Sequence, residues 1–311
     1  MSKKIGAVIS GGGAFGAFGA GTLAALDRDY EAVAGISTGA LMAPMVALRE
    51  WDVLKEAYTS VTQRDIVDYK WYKPQPLTKK GSINFWAILY ALIFKQKTLG
   101  TTKALKRTID KFLTEEYYGR VKNQNKNVIV GCQNLNQNPS RIHYFDLLDE
   151  TFEDFKDWMW ASANASFLTS ILEKEWELNG EKYLGQWIDG GISELIALDV
   201  LNDMNCDEID VIIHRPFPKD DYQLEPFDTF IENVNRNIAA MRYDIEFEFF
   251  MYRAKEFAKQ GTKLNLYWLP RKLGNHFLLF YKNKMTEWWN EGYETAHDTS
   301  RIIILDPKNF K

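Results

Sequence analysis

The stretch IGAVISGGGAFG, residues 5–16, begins the segment that decides the fold, and this segment closes with GISTG at residues 35–39. Two short apolar runs within it, Ile5–Ile9 and Ala32–Ile36, are bounded by glycines, a pattern typical of buried strands. The small and apolar residues between them predict a helix that ends near Leu26. Two strands joined by a helix form a βαβ unit, so the sequence predicts a mainly parallel sheet.

A glycine-rich turn follows each of these predicted strands. The first strand runs into three glycines, residues 11–13, whose backbone amides can face an anion at the start of a helix. The second runs into Ser37 within G-x-S-x-G, the spacing of a nucleophile elbow. In such an elbow a sharp strand-to-helix turn exposes the serine hydroxyl, and the flanking glycines avoid a clash that a Cβ atom would cause.

The run from Gly11 to Gly16 also fits G-x-G-x-x-G, the pattern of dinucleotide-binding folds. That function needs an acidic residue near the end of the second strand, where it binds a ribose hydroxyl. Ser37 occupies that position here, so the sequence disfavours a dinucleotide site. A plain tight turn between strand and helix is the other alternative to an anion-binding loop.

Composition excludes several classes of protein. The chain has 311 residues, 46% of them hydrophobic, which supports a substantial core in one large domain or two small ones. A net charge of −4 argues against nucleic-acid binding, which needs a basic face. Two distant cysteines, Cys132 and Cys206, form no metal motif and indicate a reducing compartment. The amino-terminal apolar stretch is too short for a signal peptide, and no apolar run is long enough to span a bilayer.

The rest of the chain is predicted to alternate between helices and strands. Helices are predicted over residues 38–48, 51–58, 101–113 and 285–300, from Thr151 onward, and over a long stretch from 227 to about 260. Strands are predicted over residues 127–132, 141–145, 210–213 and 263–269, with the last of these as the final strand. Asn179-Gly180 predicts the turn of a hairpin within residues 171–188, and residues 63–83 are predicted to form a loop.

Residues Phe85–Phe94 are all apolar, and Lys95 and Lys97 follow them. Ten residues cannot span a membrane, so we expect either a buried helix or a helix that docks on lipid near the site. Replacing Trp86 and Phe94 with serine separates these two interpretations, because only the first predicts a loss of folding.

A third glycine-flanked candidate is Asp189, which ends an apolar stretch and precedes Gly190 and Gly191. An aspartate in a turn is the ordinary interpretation of this pattern. A serine nucleophile needs a base, however, and the histidines at positions 143, 214, 276 and 297 lie outside glycine-rich turns. A carboxylate within hydrogen-bond reach of the serine can replace histidine as that base.

Three motifs in a fixed order resemble the signatures of patatin-like phospholipases: Gly11–Gly16, Gly35–Gly39 and Asp189–Gly191. Residues 161–167 resemble a further stretch of that family, A-S-x-A-x-P-x-x-F, with Ser166 where proline is usual. The resemblance covers about residues 5–200, and Gly292–Ala296 is similar to the closing helix of the family.

This resemblance implies a three-layer α/β/α fold with a mainly parallel central sheet, and a Ser–Asp dyad in which Ser37 is the nucleophile and Asp189 the base. Four backbone amides would form the oxyanion hole, those of Gly11, Gly12, Gly13 and Thr38, the last from the general elbow geometry. Five further glycines belong to the motifs: Gly16, Gly35, Gly39, Gly190 and Gly191. Phe15 stands where the family often has arginine or lysine, which removes a positive charge near the site.

We therefore expect a single-domain enzyme, with a catalytic core over about residues 5–200 and a C-terminal helical extension over about residues 225–300. Its expected reaction is hydrolysis of acyl esters in phospholipids or other lipids through an acyl-enzyme, without a metal or organic cofactor. The alternative is a non-catalytic patatin-like module that binds lipid or a protein partner. The expected location is the cytoplasm, either free or peripherally on a membrane, with no nucleic-acid partner.

Overall fold

The computed structural model has one sheet at its centre. It describes residues 3–68, 73–78, 83–165, 168–178, 180–217, 246–274 and 277–310. Its strands are β1 (Ile5–Ile9), β2 (Ala32–Ile36), β3 (Asn127–Asn134), β4 (Arg141–Asp146), β5 (Leu172–Leu178), β6 (Glu181–Asp189), β7 (Glu208–Pro216), β8 (Lys263–Leu269) and β9 (Ile302–Leu305). Their order is β5-β6-β3-β2-β1-β7-β8-β9, with β4 also paired to β3. The five central strands β3, β2, β1, β7 and β8 are parallel, which confirms the predicted mainly parallel sheet.

The helices are α1 (Gly16–Leu26), α2 (Thr38–Leu48), α3 (Trp51–Ser60), α4 (Gln63–Ile66), α5 (Phe85–Ile93), α6 (Lys103–Phe112), α7 (Glu115–Asn123), α8 (Phe152–Ser162), α9 (residues 246–259) and α10 (Lys282–Thr295). Short 3-10 helices cover Gly13–Phe15, Gly190–Ile192, Asp199–Met204, Thr299–Arg301 and Pro307–Phe310.

Helices cover both faces of the sheet, because side chains of successive strand residues point to opposite faces. On β1, Ala7 and Ile9 belong to a core cluster that also contains buried residues of α1, α2, α3, α6, α8 and α10. Val8 belongs to a second cluster, which buries residues of α9 and of the 3-10 helix Asp199–Met204. The arrangement is the three-layer α/β/α fold that the sequence predicts.

Several predicted element boundaries are wrong. β8 is not the final strand, because the β-branched run Ile302–Leu305 forms β9 and pairs antiparallel with β8. The region predicted as a C-terminal helical extension, about residues 225–300, therefore contains β8, and β9 directly follows it. α10 ends at Thr295 rather than at residue 300, and α4 interrupts the predicted loop of residues 63–83, where Thr62 and Asp65 form a capping box. Asn179 of the hairpin turn and residues 227–245 of the predicted long helix lie outside the described residues.

Helix α5 lies on the surface of the protein. Of its nine residues only Ala87 is buried, whereas the side chains of Trp86 and Leu92 are 66% and 72% exposed. The interpretation of Phe85–Phe94 as a buried helix is therefore wrong, since five of the nine side chains of α5 are exposed.

Candidate active site

The site lies at the ends of β2 and β6, which flank β3 in the sheet. In the pairing of β2 with β3, Ile36 stands opposite Gly131, so Ser37 follows at that end of the sheet. In the pairing of β3 with β6, Cys132 stands opposite Asp189, the last residue of β6. β3 separates the two strands, so the backbones of Ser37 and Asp189 are about two strand spacings, roughly 10 Å, apart. Both residues line the same cavity.

Ser37 has the strained backbone of a nucleophile elbow. Its φ of 56° and ψ of −120° lie in a region that residues other than glycine rarely adopt. The turn is very tight, since a Cβ atom on Gly39 would lie 2.1 Å from the carbonyl oxygen of Ile9. The Ser37 amide donates to Oγ of Ser162 at 3.0 Å, which helps to hold the elbow in this conformation.

Hydrogen bonds fix both the backbone and the side chain of Asp189. Its backbone amide donates to the carbonyl oxygen of Asn164 at 3.1 Å, and its Oδ1 accepts the amide of Gly191 at 2.8 Å. Burial and the nearby Asp189 carboxylate raise the pKa of the Cys132 thiol well above its usual value. Cys132 is therefore a neutral, buried neighbour of the site.

The glycine loop approaches the same cavity from the end of β1. Gly13 has a φ of +54°, and a Cβ atom there would lie 2.3 Å from the carbonyl oxygen of Phe277. The Gly11 amide already donates to the carbonyl oxygen of Leu195 at 3.2 Å, contrary to its predicted role in an oxyanion hole. Within the described part of the chain, no residue accepts a hydrogen bond from the amide of Gly12 or of Gly13.

Thr38 supplies a further amide, because the first residue of α2 has no acceptor within its own helix. The buried Tyr58 fixes this residue: its hydroxyl donates to the Thr38 carbonyl oxygen at 2.9 Å and accepts from the Thr38 hydroxyl at 2.7 Å. Gly13 and Thr38 line the cavity together with Ser37 and Asp189.

The cavity has a volume of about 540 Å³ and mostly apolar walls. Residues of α2, α6, α8 and the segment before α10 contribute large side chains, among them Met45, Leu105, Ile109, Phe112, Met159 and Phe280. Asp189 is the one charged side chain among the described residues that line it. Such a cavity suits an uncharged hydrocarbon chain with a reactive group near Ser37 and Asp189.

None of the described histidines lines this cavity. His143 bonds to Gln137, and the exposed His297 lies near a backbone carbonyl. His276 is outside the described residues.

His214 is buried behind the glycine loop, where its Nδ1 lies 2.9 Å from the carbonyl oxygen of Ser10. A carbonyl oxygen only accepts, so Nδ1 carries the proton. Burial lowers the pKa of His214 to about 4, so the ring is neutral near pH 7. We conclude that His214 supports the loop and does not face the cavity that Ser37 and Asp189 line.

Two positioning residues, Ser162 and Asn164, were not predicted from the sequence, although they lie in the family stretch at residues 161–167. Ser162 accepts from the Ser37 amide and donates to the carbonyl oxygen of Gly131 at 2.7 Å, so it ties the elbow to β3. The buried Asn164 accepts the amide of Asp189 and the hydroxyl of Thr102, which also lines the cavity. The family stretch at residues 161–167 was the available signal, and its last two residues, 166 and 167, lie outside the described residues. Nothing in the motifs pointed to Tyr58.

The sequence profile of the family described as patatin-like phospholipase matches residues 7–201, more than half of the chain. The chain belongs to the patatin-like phospholipase family. Membership supports lipid acyl hydrolysis as its general activity and lipid as its general class of substrate.

Two solved structures are similar to this chain. The crystal structure of VipD from Legionella pneumophila matches 98% of this chain and 68% of its own chain, with a TM-score of 0.47 and 14% sequence identity. Human GIVD cytosolic phospholipase A2 matches 68% of this chain and 43% of its own chain, with a TM-score of 0.39 and 11% identity. No curated protein sequence shows a significant match.

The departure of this patatin-like chain at Phe15 has a structural explanation. The Phe15 ring packs edge-to-face on Trp288 of α10, with ring centroids 5.4 Å apart. Phe15 does not line the cavity, so the position serves packing between α1 and α10 rather than charge.

The part of the chain that the structure describes contains no group of three or more His, Cys, Asp or Glu side chains that could hold a metal ion. It also contains no helix with the length and apolar character needed to cross a bilayer.

Proposed function

We propose that this protein is a serine hydrolase that cleaves acyl esters of phospholipids or related lipids through Ser37 and Asp189. The observation that carries this proposal is that the strained Ser37 elbow and Asp189 line one cavity whose other described walls are uncharged. The substrate's acyl chain would occupy the apolar cavity, and its polar headgroup would stay outside.

In the proposed reaction, Oγ of Ser37 attacks the ester carbonyl carbon while the Asp189 carboxylate accepts the hydroxyl proton. The oxyanion is stabilised by the amides of Gly12, Gly13 and Thr38. The proton then passes from Asp189 to the leaving alkoxide, and an acyl-enzyme remains. Asp189 then takes a proton from water as the water attacks the acyl-enzyme, and returns that proton to Oγ of Ser37 as the fatty acid leaves. One oriented amide donor typically lowers such a barrier by about 2.7–4 kcal/mol, so the glycine loop matters as much as the nucleophile.

A fluorophosphonate probe tests the assignment of the nucleophile. It should label Ser37, and Ser37→Ala should abolish both labelling and hydrolysis of a chromogenic short-chain ester. Ser300→Ala, at an exposed serine outside the cavity, is the matched control and should leave both intact. Labelling at a serine other than Ser37 would overturn the proposal.

A second set of variants tests the base. Asp189→Asn retains the shape of the side chain and removes the proton acceptor, so turnover should fall by several orders of magnitude, about 10²–10⁴-fold or more, without unfolding. Labelling of Ser37 should slow as well. His143→Gln, His276→Gln and His297→Gln should each retain a sizeable fraction of activity. A folded histidine variant as inactive as Asp189→Asn would show that a triad operates.

The contrasting possibility is a non-catalytic patatin-like module that binds lipid or a protein partner. The bond from the Gly11 amide to Leu195 is the observation in its favour, because it removes one predicted oxyanion donor. A folded protein that binds lipid but neither reacts with the probe nor turns over the ester would favour this module.

Both cysteines are free thiols, which suits the cytoplasmic location that we propose.

A further inference from the structure

Helix α5 exposes one broad apolar face. Phe85, Trp86, Leu92 and Ile93 are 63%, 66%, 72% and 64% exposed, and Phe94, the next residue, is 56% exposed. Residues on a helix advance by about 100° each, so the exposed residues of α5 fall within about 120° of its circumference. These residues are Phe85, Trp86, Leu89, Leu92 and Ile93. Isolated exposed apolar residues are ordinary, but a contiguous group on one short helix marks a surface that is covered by something else.

The helix is attached directly to the wall of the cavity. Asn84 caps α5, and its own amide donates to the carbonyl oxygen of Pro76 at 2.9 Å. Leu77 pairs with Ile83 in an antiparallel bridge. Pro76 and Leu77 both line the cavity, as does Thr102 beyond the other end of the segment. A surface that covered α5 would therefore lie beside the cavity.

The charge of this part of the chain is unlike that of the whole protein. Residues 69–103 contain seven lysines and no aspartate or glutamate, in a chain whose net charge is −4. Lys73 lies over the ring of Tyr90 in α5, with its Nζ 5.3 Å from the ring centroid. Lys95, one residue after Phe94, is exposed, and among the described residues it pairs with no carboxylate. Lys97 is paired with Glu173.

We propose that α5, together with Lys73 and Lys95, docks on the surface of an anionic lipid bilayer. The excess of lysine over acidic residues in residues 69–103 favours an anionic bilayer over a groove on a protein partner. An apolar helical face flanked by lysines suits the boundary between headgroups and acyl chains. The helix is too short to cross a bilayer, so it would lie at the interface, with its lysines reaching the headgroups. That the bilayer also supplies the substrate rests on the proposed function; the docking itself does not.

A fluorescent label on α5 tests the docking directly. Cys132 and Cys206 are 0% and 5% exposed, so a thiol-reactive nitrobenzoxadiazole dye can be directed to Leu92→Cys. On addition of vesicles of phosphatidylcholine with phosphatidylglycerol, its emission should shift to the blue and brighten. Vesicles of phosphatidylcholine alone should give a weaker response, and added salt should reduce the response. The matched control is Tyr252→Cys, on the exposed part of α9, where no shift is expected.

Vesicle co-sedimentation with unlabelled variants separates apolar from charged contributions. Trp86→Ser with Phe94→Ser should weaken binding at least about tenfold. Lys73→Glu with Lys95→Glu should weaken binding to the anionic vesicles by roughly fivefold or more for each lysine and should remove the preference for anionic lipid. Tyr252→Ser with Tyr293→Ser removes two exposed aromatic rings elsewhere and should not change binding.

Hydrolysis of a soluble short-chain ester distinguishes failure of docking from failure of the proposed function. Retained ester turnover in all of these variants, with vesicle binding lost only in the α5 variants, supports the proposal. A wild-type protein that hydrolyses the ester but gives no label shift overturns the docking and leaves the enzyme. A label shift without hydrolysis supports docking and counts against the enzyme. Self-association that is lost on Trp86→Ser with Phe94→Ser, without vesicle binding, would assign α5 to a second copy of the chain and overturn the proposal.

Discussion

At the scale of single residues, Ser162 connects the elbow to the sheet. Its Oγ accepts from Ser37 and donates to Gly131, so Ser162→Ala leaves two backbone groups without their partner. We expect a loss of about 1–3 kcal/mol in the free energy of unfolding. The strained elbow should also shift, so kcat should fall by about 10- to 100-fold with little change in KM.

Thr22→Val provides a matched control for Ser162→Ala. Thr22 is equally buried and donates to the carbonyl oxygen of Phe18 at 3.1 Å, but it does not line the cavity. It should lower the stability by a similar amount and leave kcat unchanged. Equal kcat in wild type and a folded Ser162→Ala variant would contradict a positioning role for Ser162.

His214 should make the stability of the protein depend on pH. Its pKa is lowered by burial from 6.5 to about 4, so the unfolded chain binds a proton between these two pH values and the folded chain does not. The free energy of unfolding therefore falls as the pH is lowered through this window. The contribution amounts to about 3 kcal/mol and is fully lost below the folded-state pKa.

His214→Asn isolates this contribution, because the asparagine amide retains a donor near Ser10 but does not titrate. The smaller side chain should destabilise the variant by an amount that does not depend on pH. Urea unfolding at several pH values should show wild type losing about 3 kcal/mol relative to the variant between pH 6.5 and 4. A constant difference across that range would mean that the ring is not buried as a neutral base.

The residues of the proposed dyad stand out in the sequence because each lies in a short motif with its own backbone requirement. The elbow conformation of Ser37 depends on glycines two residues away, so local sequence carries the signal. Tyr58 and Leu195 contact the site through hydrogen bonds that bring together distant parts of the chain. No spacing in a single sequence encodes such contacts, and so the role of Tyr58 and the use of the Gly11 amide were not predicted.

At the scale of secondary structure, α1 and α10 pack closely against each other through glycines. A Cβ atom on Gly21 would lie 2.1 Å from the carbonyl oxygen of Trp289, and one on Gly292 would lie 2.0 Å from that of Phe18. Both obstacles are backbone atoms, so Gly292→Ala would force the helices apart. We expect a loss of about 2 kcal/mol or more in the free energy of unfolding, measured by chemical denaturation.

Gly119→Ala is the control for this change. Gly119 lies in α7, and a Cβ atom there would have no neighbour within 4 Å. Alanine in an open helical position should raise the free energy of unfolding by up to about 1 kcal/mol. If Gly292→Ala is as well tolerated as Gly119→Ala, the two helices are not packed through their glycines.

Secondary-structure elements with a strong local sequence pattern were predicted well. Whether such an element is buried or lies on the surface was not predicted. Residues 127–132 and 263–269 are apolar runs with β-branched or aromatic residues, and both form central strands. The run Phe85–Phe94 has an even stronger apolar composition and yet lies on the surface. An apolar composition favours removal of such a helix from water. Whether protein or lipid covers the helix depends on how the other elements pack.

At the scale of the whole molecule, the sheet extends beyond the segment that matches the family. The family profile ends at residue 201, whereas β7 pairs with β1 along the register from Ile5 and Glu208 to Ile9 and Ile212. The second core cluster consists largely of residues from β7, α9 and β8. We therefore propose that the chain is a single domain, in which the expected core of residues 5–200 does not fold alone.

A truncated chain of residues 1–204 tests this proposal. Without β7, the central strand β1 would become an edge, and the face of the sheet that carries Val8 would lose most of its cover. The packing of Phe18 against Gly292 would be lost as well. We expect the fragment to lack a cooperative thermal transition and a near-ultraviolet circular dichroism spectrum, whereas in the full chain fluorescence and circular dichroism should report coincident unfolding curves. A fragment that unfolds cooperatively, or a full chain with two separate transitions, would instead establish an independent catalytic core. The Ser37 probe would then show whether that core is active, since every residue of the proposed dyad and oxyanion hole lies before residue 204.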